Sequence, residues 1–140
     1  MPLSRIVFSR ISHVSFSVRD LATSVGWYKD VLGLLEIDYI EGDGWQGVLL
    51  LHEASGTLLE CQHHDANQGE PFDPRRTGFD HVAFKVDSRE ALDDWQEQFF
   101  RLDIDYTPVA DRDYGSVLTF RDPDGIQLEL FYRADHPEAV

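Results

Sequence analysis

The sequence predicts an α+β fold made of two tandem copies of one strand–helix–three-strand unit, and three observations predict it. Ser12-His13-Val14-Ser15-Phe16-Ser17-Val18 is matched by Asp80-His81-Val82-Ala83-Phe84-Lys85-Val86, and a Trp follows each His by 14 residues, at Trp27 and Trp95. Ile37-Asp38-Tyr39 recurs as Ile104-Asp105-Tyr106. Gly56-Thr57-Leu58-Leu59-Glu60 repeats the spacing of Gly125-Ile126-Gln127-Leu128-Glu129. The offset between copies is 68 residues at His and Trp, 67 at Ile-Asp-Tyr and 69 at Glu. Features in one order at a near-constant offset mark an internal duplication.

Each element follows from local chemistry. Residues 6–18 read as a first strand, with Val14, Phe16 and Val18 on one face and His13, Ser15 and Ser17 on the other. Asp20 is placed to cap a helix whose stripe is Leu21, Val25, Tyr28 and Leu32, with Gly33 as its stop. Strands are expected at 35–41, at Trp45 to His52 and at Thr57 to His64, separated by the turns Glu41-Gly42-Asp43-Gly44 and Glu53-Ala54-Ser55-Gly56. Residues 65–78, with Gly69, Pro71, Pro74 and Arg75-Arg76, read as a linker.

The second copy begins with a strand from Phe79 to Val86 and a helix capped by Asp87 or Ser88, with Leu92, Trp95 and Phe99 as its buried stripe. Strands near Ile104 to Pro108 and from Tyr114 to Phe120 follow. Asp122-Pro123-Asp124-Gly125 is turn chemistry, since Pro fixes φ and Gly accepts positive φ. In the final strand Ile126, Leu128, Leu130 and Tyr132 take one face and Gln127, Glu129 and Phe131 the other. The expected layout is one domain over 1–140, with module 1 about 6–64, the linker 65–78, module 2 about 79–132 and a frayed tail at 133–140.

Composition narrows the function classes. Hydrophobic residues at 42% and aromatics at 12% suit a packed domain. The 26 acids against 12 bases give a net charge of −14, which repels phosphate backbones and anionic lipid, so neither nucleic acid nor membrane is expected as a partner. One cysteine, Cys61, excludes an internal disulfide and fits a reducing compartment. With no apolar run of signal-peptide or bilayer length, a cytoplasmic protein acting on a small molecule is expected.

Chemistry concentrates on the duplicated polar positions. Each half offers one His at the start of its first strand and one Glu in its last, opposite a core face of Val-Phe-Val. Two halves related by a pseudo-twofold would supply His13, Glu60, His81 and Glu129, a donor set suited to Zn, Ni, Mn, Co or Fe(II). Gln62 and His64 stand on the same strand as Glu60 and are alternatives for the fourth ligand.

These residues carry a resemblance. His-Val-x-Phe-x-Val opening each half, Trp-Tyr-Lys-Asp-Val-Leu-Gly-Leu on the first helix and Asp-Pro-Asp-Gly before the terminal Glu resemble the vicinal oxygen chelate superfamily over residues 11–132. That superfamily includes glyoxalase I, extradiol dioxygenases, fosfomycin-resistance thiol transferases and bleomycin-binding proteins. The resemblance implies a curved, cup-like mixed sheet with the helices outside, and a homodimer. The His/Glu/His/Glu quartet is most similar to glyoxalase I. This implies isomerisation of a thiol–ketoaldehyde adduct, in which a divalent metal binds adjacent oxygens and stabilises an enediolate while Glu129 or Glu60 moves the proton. The pattern departs from compact bacterial glyoxalases at Ser17 and His64, where those carry Arg and Asn toward glutathione, so the thiol is left open. Two other readings follow from the same superfamily. One is an Fe(II) dioxygenase using His13, His81 and Glu129; the other is a metal-free protein that sequesters a cationic drug.

Overall fold

Both copies fold as the strand–helix–three-strand units that the duplication predicts, and the strands of each form a four-stranded mixed sheet. A computed structural model of the chain describes residues 5–137. Module 1 comprises β1 (Val14–Ser17), α1 (Leu21–Leu32), β2 (Leu35–Gly42), β3 (Trp45–His52) and β4 (Thr57–His64). Module 2 comprises β5 (Val82–Lys85), α2 (Arg89–Arg101), β6 (Tyr106–Arg112), β7 (Gly115–Arg121) and β8 (Gln127–Tyr132). The strand orders are β1-β4-β3-β2 and β5-β8-β7-β6. In each, the first strand runs parallel to the last and every other pairing is antiparallel. The part of the predicted tail beyond residue 137 lies outside the described residues.

Both opening strands are shorter than predicted, for one reason. β1 and β5 each have a single ladder partner, and that partner begins just after a turn, at Thr57 and at Gln127. Residues 6–11 and 79–80 therefore lie outside both ladders, and Ile6, Val7, Phe8 and Ile11 are exposed. β6 runs from Tyr106 to Arg112 rather than from Ile104 to Pro108. It is an edge strand whose register slips between Thr107 and Ala110, and that irregularity accommodates Pro108.

The helix caps also differ from the expectation in part. Asp20 stands at the N-cap of α1, but its carboxylate accepts from the Thr23 hydroxyl at 2.7 Å instead of a backbone N–H. Ser88 does cap α2, accepting from the Ala91 N–H at 3.1 Å. Gly33 ends α1 in the left-handed region at φ 70°, with its N–H returned to the Lys29 carbonyl and that of Leu34 to Tyr28.

The two modules share one core. Phe16 stacks on Tyr28 of α1, and Phe120 of β7 lies 4.6 Å from Phe99 and 6.1 Å from Trp27 between ring centroids, so Phe120 ties both helices together. Leu50, Leu59 and Cys61 close this core from one sheet, and Leu118, Leu128 and Leu130 from the other. A polar clamp joins the modules beside it. The buried Asp122 carboxylate accepts from the Tyr28 hydroxyl at 2.8 Å and from the N–H groups of Asp124 and Ile126 at 2.9 Å each. Asp124, also buried, accepts from Arg19 Nε at 2.7 Å and from the Ser24 hydroxyl at 3.3 Å. Burial raises the Asp122 carboxyl above its ordinary range while these hydrogen bonds oppose the rise.

Cys61 sits inside this core, and its thiol is pushed up to about 12 by burial first and then by Asp122, Asp124 and Glu60. At pH 8 its thiolate fraction is then about one part in ten thousand, so an aromatic disulfide reagent is expected to label the native protein only as it unfolds. Immediate stoichiometric labelling without denaturant would contradict this burial. Among the described residues no helix is long and apolar enough to cross a membrane.

Candidate metal centre

Strand register places each predicted pair on one face. Ser15 stands opposite Glu60 across β1 and β4, and Ala83 stands opposite Glu129 across β5 and β8. His13 and His81 immediately precede β1 and β5, two residues before Ser15 and Ala83, which lie on the faces of Glu60 and Glu129. The opposite faces carry Leu59 and Cys61, and Leu128 and Leu130, which are packed into the shared core. Both half-sites therefore look away from the helices.

In module 2 the pair meets: His81 Nε2 lies 3.6 Å from Glu129 Oε1. The Nδ1 of His81 is engaged by Asp80 Oδ1 at 2.7 Å. A carboxylate on Nδ1 fixes the ring orientation and leaves Nε2 toward the site, the arrangement that metal-binding imidazoles use. His13 has the same device in a neutral form, with Ser12 Oγ 3.0 Å from its Nδ1. Ser12 and Asp80 are duplicated positions whose orienting part the sequence reading did not assign; their place directly before each His was the available signal.

In module 1 the carboxylate is held differently. Glu60 is buried, at 8% exposure, and its Oε1 accepts from the Ser15 hydroxyl at 2.7 Å. Its Oε2 occupies space left by Gly47, where an added Cβ would lie 3.1 Å away. Gln62 shares the β4 face with Glu60 but pairs with Ser17, one step further from His13, and His64 pairs with Trp45 at the exposed end of the strand. Of the three, Glu60 is the enclosed carboxylate.

Each half thus presents an imidazole and a carboxylate, a donor set that fits a borderline divalent ion. Within a single chain the halves do not converge. Among the described residues no group of three or more His, Cys, Asp or Glu side chains comes together as a metal site. The physical reason is the shared core, which turns both donor faces outward.

The chain as a whole is similar to known proteins. The sequence profile of the Glyoxalase/Bleomycin resistance protein/Dioxygenase superfamily matches residues 10–130. The manganese-dependent 2,3-dihydroxybiphenyl 1,2-dioxygenase of Geobacillus genomosp. 3 is 24% identical over 134 residues, which is 94% of this chain and 39% of that protein. The chain therefore spans well under half the length of this relative. Glyoxylase I 4 of Arabidopsis thaliana is 28% identical over 127 residues, covering 86% of this chain and 68% of the relative. The crystal structure of a glyoxylase/bleomycin resistance protein/dioxygenase domain from Frankia sp. EAN1pec superimposes with a TM-score of 0.83 at 33% identity, covering 90% of this chain and 98% of that one.

Proposed function

The chain belongs to the Glyoxalase/Bleomycin resistance protein/Dioxygenase superfamily, and from that premise we propose a divalent-metal-dependent, glyoxalase-I-like lyase or isomerase acting on the thiol adduct of a small ketoaldehyde. Its ligands are His13 and Glu60 from one copy of the chain and His81 and Glu129 from a second. The bound ion, one of Ni, Zn, Fe, Mn or Co, would supply Lewis acidity toward two adjacent substrate oxygens. The outward-facing half-sites support a homodimer, because the module 1 pair of one copy can face the module 2 pair of the other.

The rest is work for the chain's own side chains. Asp80 and Ser12 orient the two imidazoles. Glu129 lies 3.6 Å from His81 and opposite Thr119 on β7, without the Ser15-type clamp that holds Glu60, and is the carboxylate assigned to take a proton from one substrate carbon and return it to the next. Glu60 stays in place as the second carboxylate. The observation that carries this reading is Glu60 itself, enclosed and hydrogen-bonded on the donor face at the position that matches Glu129. A three-ligand dioxygenase site would need only His13, His81 and Glu129.

Turnover of a methylglyoxal–thiol adduct under Ni and under Zn tests the proposal. Glu129→Gln is expected to lose about 100-fold or more in kcat, the scale of a general base, while keeping much of its metal, because the amide oxygen still coordinates but accepts no proton at neutral pH. Glu60→Gln is expected to lose activity as well. A dioxygenase favoured by the manganese-dependent relative would instead keep activity in Glu60→Gln and consume oxygen with a catechol. Binding of a cationic aromatic drug without any metal would replace both readings with sequestration.

A further inference from the structure

The two halves of the duplication differ around their glutamates. Glu60 lies between Ser15 on β1, whose hydroxyl donates to Oε1 at 2.7 Å, and Gly47 on β3, where a Cβ would come within 3.1 Å of Oε2. Gly47 pairs with Gln62, two residues beyond Glu60 on β4. The register-equivalent residues in module 2 are Ala83, opposite Glu129, and Val117, opposite Phe131. Ala83 has no hydroxyl to donate and Val117 fills the space that Gly47 leaves open. One carboxylate therefore sits in a shaped slot with a donor on one side and a relief on the other. Its counterpart has no hydroxyl on the β5 side and no glycine relief, and faces Thr119 across β7.

We propose that Ser15 is a positioning residue, which together with the Gly47 relief fixes Glu60 in one orientation so that it serves as a permanent ligand while Glu129 is left free to move. The inference rests on the four-ligand reading above and adds the device that divides the labour between two otherwise equivalent glutamates. A hydroxyl donating to a carboxylate ligand limits its rotation and leaves the other oxygen to the ion, and outer partners of this kind set metal affinity by about 10–100-fold. A methyl at position 47 would make Oε2 give way by a few tenths of an ångström with the hydroxyl still in place.

Calorimetric titration with Mn(II) and with Ni(II) alone, on the metal-stripped full chain, tests this. Ser15→Ala is expected to bind about 10–100-fold more weakly than wild type, with Ser15→Thr restoring the affinity because it restores the hydroxyl. Gly47→Ala is expected to weaken binding while retaining Ser15. The visible spectrum of the Co(II)-loaded protein is expected to shift in Ser15→Ala and return in Ser15→Thr, a change that a stability effect alone would not produce. Wild-type affinity in Ser15→Ala, or failure of Ser15→Thr to restore a lost affinity, would overturn the positioning role and leave the quartet standing. A wild-type protein that takes up neither ion would overturn the quartet and this inference with it.

Discussion

His81→Ala protein, purified without chelators, is expected to carry no stoichiometric divalent metal. His81 is the best-prepared ligand of the quartet, with Nδ1 tied to Asp80 at 2.7 Å and Nε2 turned to Glu129 at 3.6 Å. Removing an orienting partner in a metal site costs about 10–100-fold in affinity, and removing the ligand itself costs more. Glu129→Ala is expected to behave alike. His52→Ala serves as the control: the His52 imidazole is engaged at Nδ1 by Ser55 in its own turn, at 2.6 Å, and lies outside the quartet. Metal content equal to wild type in both His81→Ala and Glu129→Ala would end the site assignment.

Phe120→Ala is expected to cost about 3–5 kcal/mol of folding stability, the range for removing a fully buried aromatic side chain. Phe120 is completely buried and its ring meets Phe99 of α2 and Trp27 of α1. Truncation leaves a cavity between α1 and α2. Since domains of this size are stable by about 5–15 kcal/mol in total, the variant falls near the limit of folding. Urea denaturation of the metal-free proteins measures the difference, and a loss below about 1 kcal/mol would show that the modules do not depend on one another through this ring.

How far the sequence reached depended on whether a feature repeats along the chain or arises across it. The alternation from Ile126 to Tyr132 placed Glu129 opposite a core face, and the structure buries Ile126, Leu128 and Leu130 accordingly. Duplication then singled out His13, Glu60 and His81; the register pairs Ser15 with Glu60 and Ala83 with Glu129, two residues after each His, and His81 comes within 3.6 Å of Glu129. Trp45 to His52 and Thr57 to His64 could be bounded because Gly-containing turns delimit both strands. The opening strands could not, since their length is set by where a distant partner begins. The Asp-Pro-Asp-Gly run was legible as a turn but not as a clamp, because Tyr28 and Arg19 reach it from 94 and 105 residues away. Ser15 gave no signal on its own: a serine on a strand face becomes meaningful only when the glutamate opposite it is known. That the two donor pairs turn outward depends on Phe120, Trp27 and Tyr28 packing both modules back onto one core, and no local pattern records that choice.

The claim that one site is built from two chains has a direct measurement. His13→Ala and His81→Ala proteins are each expected to be unable to form a complete quartet. In a mixed dimer, the intact His13 and Glu60 of one chain face the intact His81 and Glu129 of the other, while the opposite pairing lacks both imidazoles. Mixing the two variants, allowing subunits to exchange and adding Ni(II) or Zn(II) should therefore restore metal binding to the mixed species, one full site per dimer, together with turnover of the methylglyoxal–thiol adduct. A mixture that remains as empty and inactive as its components, while wild-type protein treated identically exchanges subunits and binds metal, would contradict the shared site.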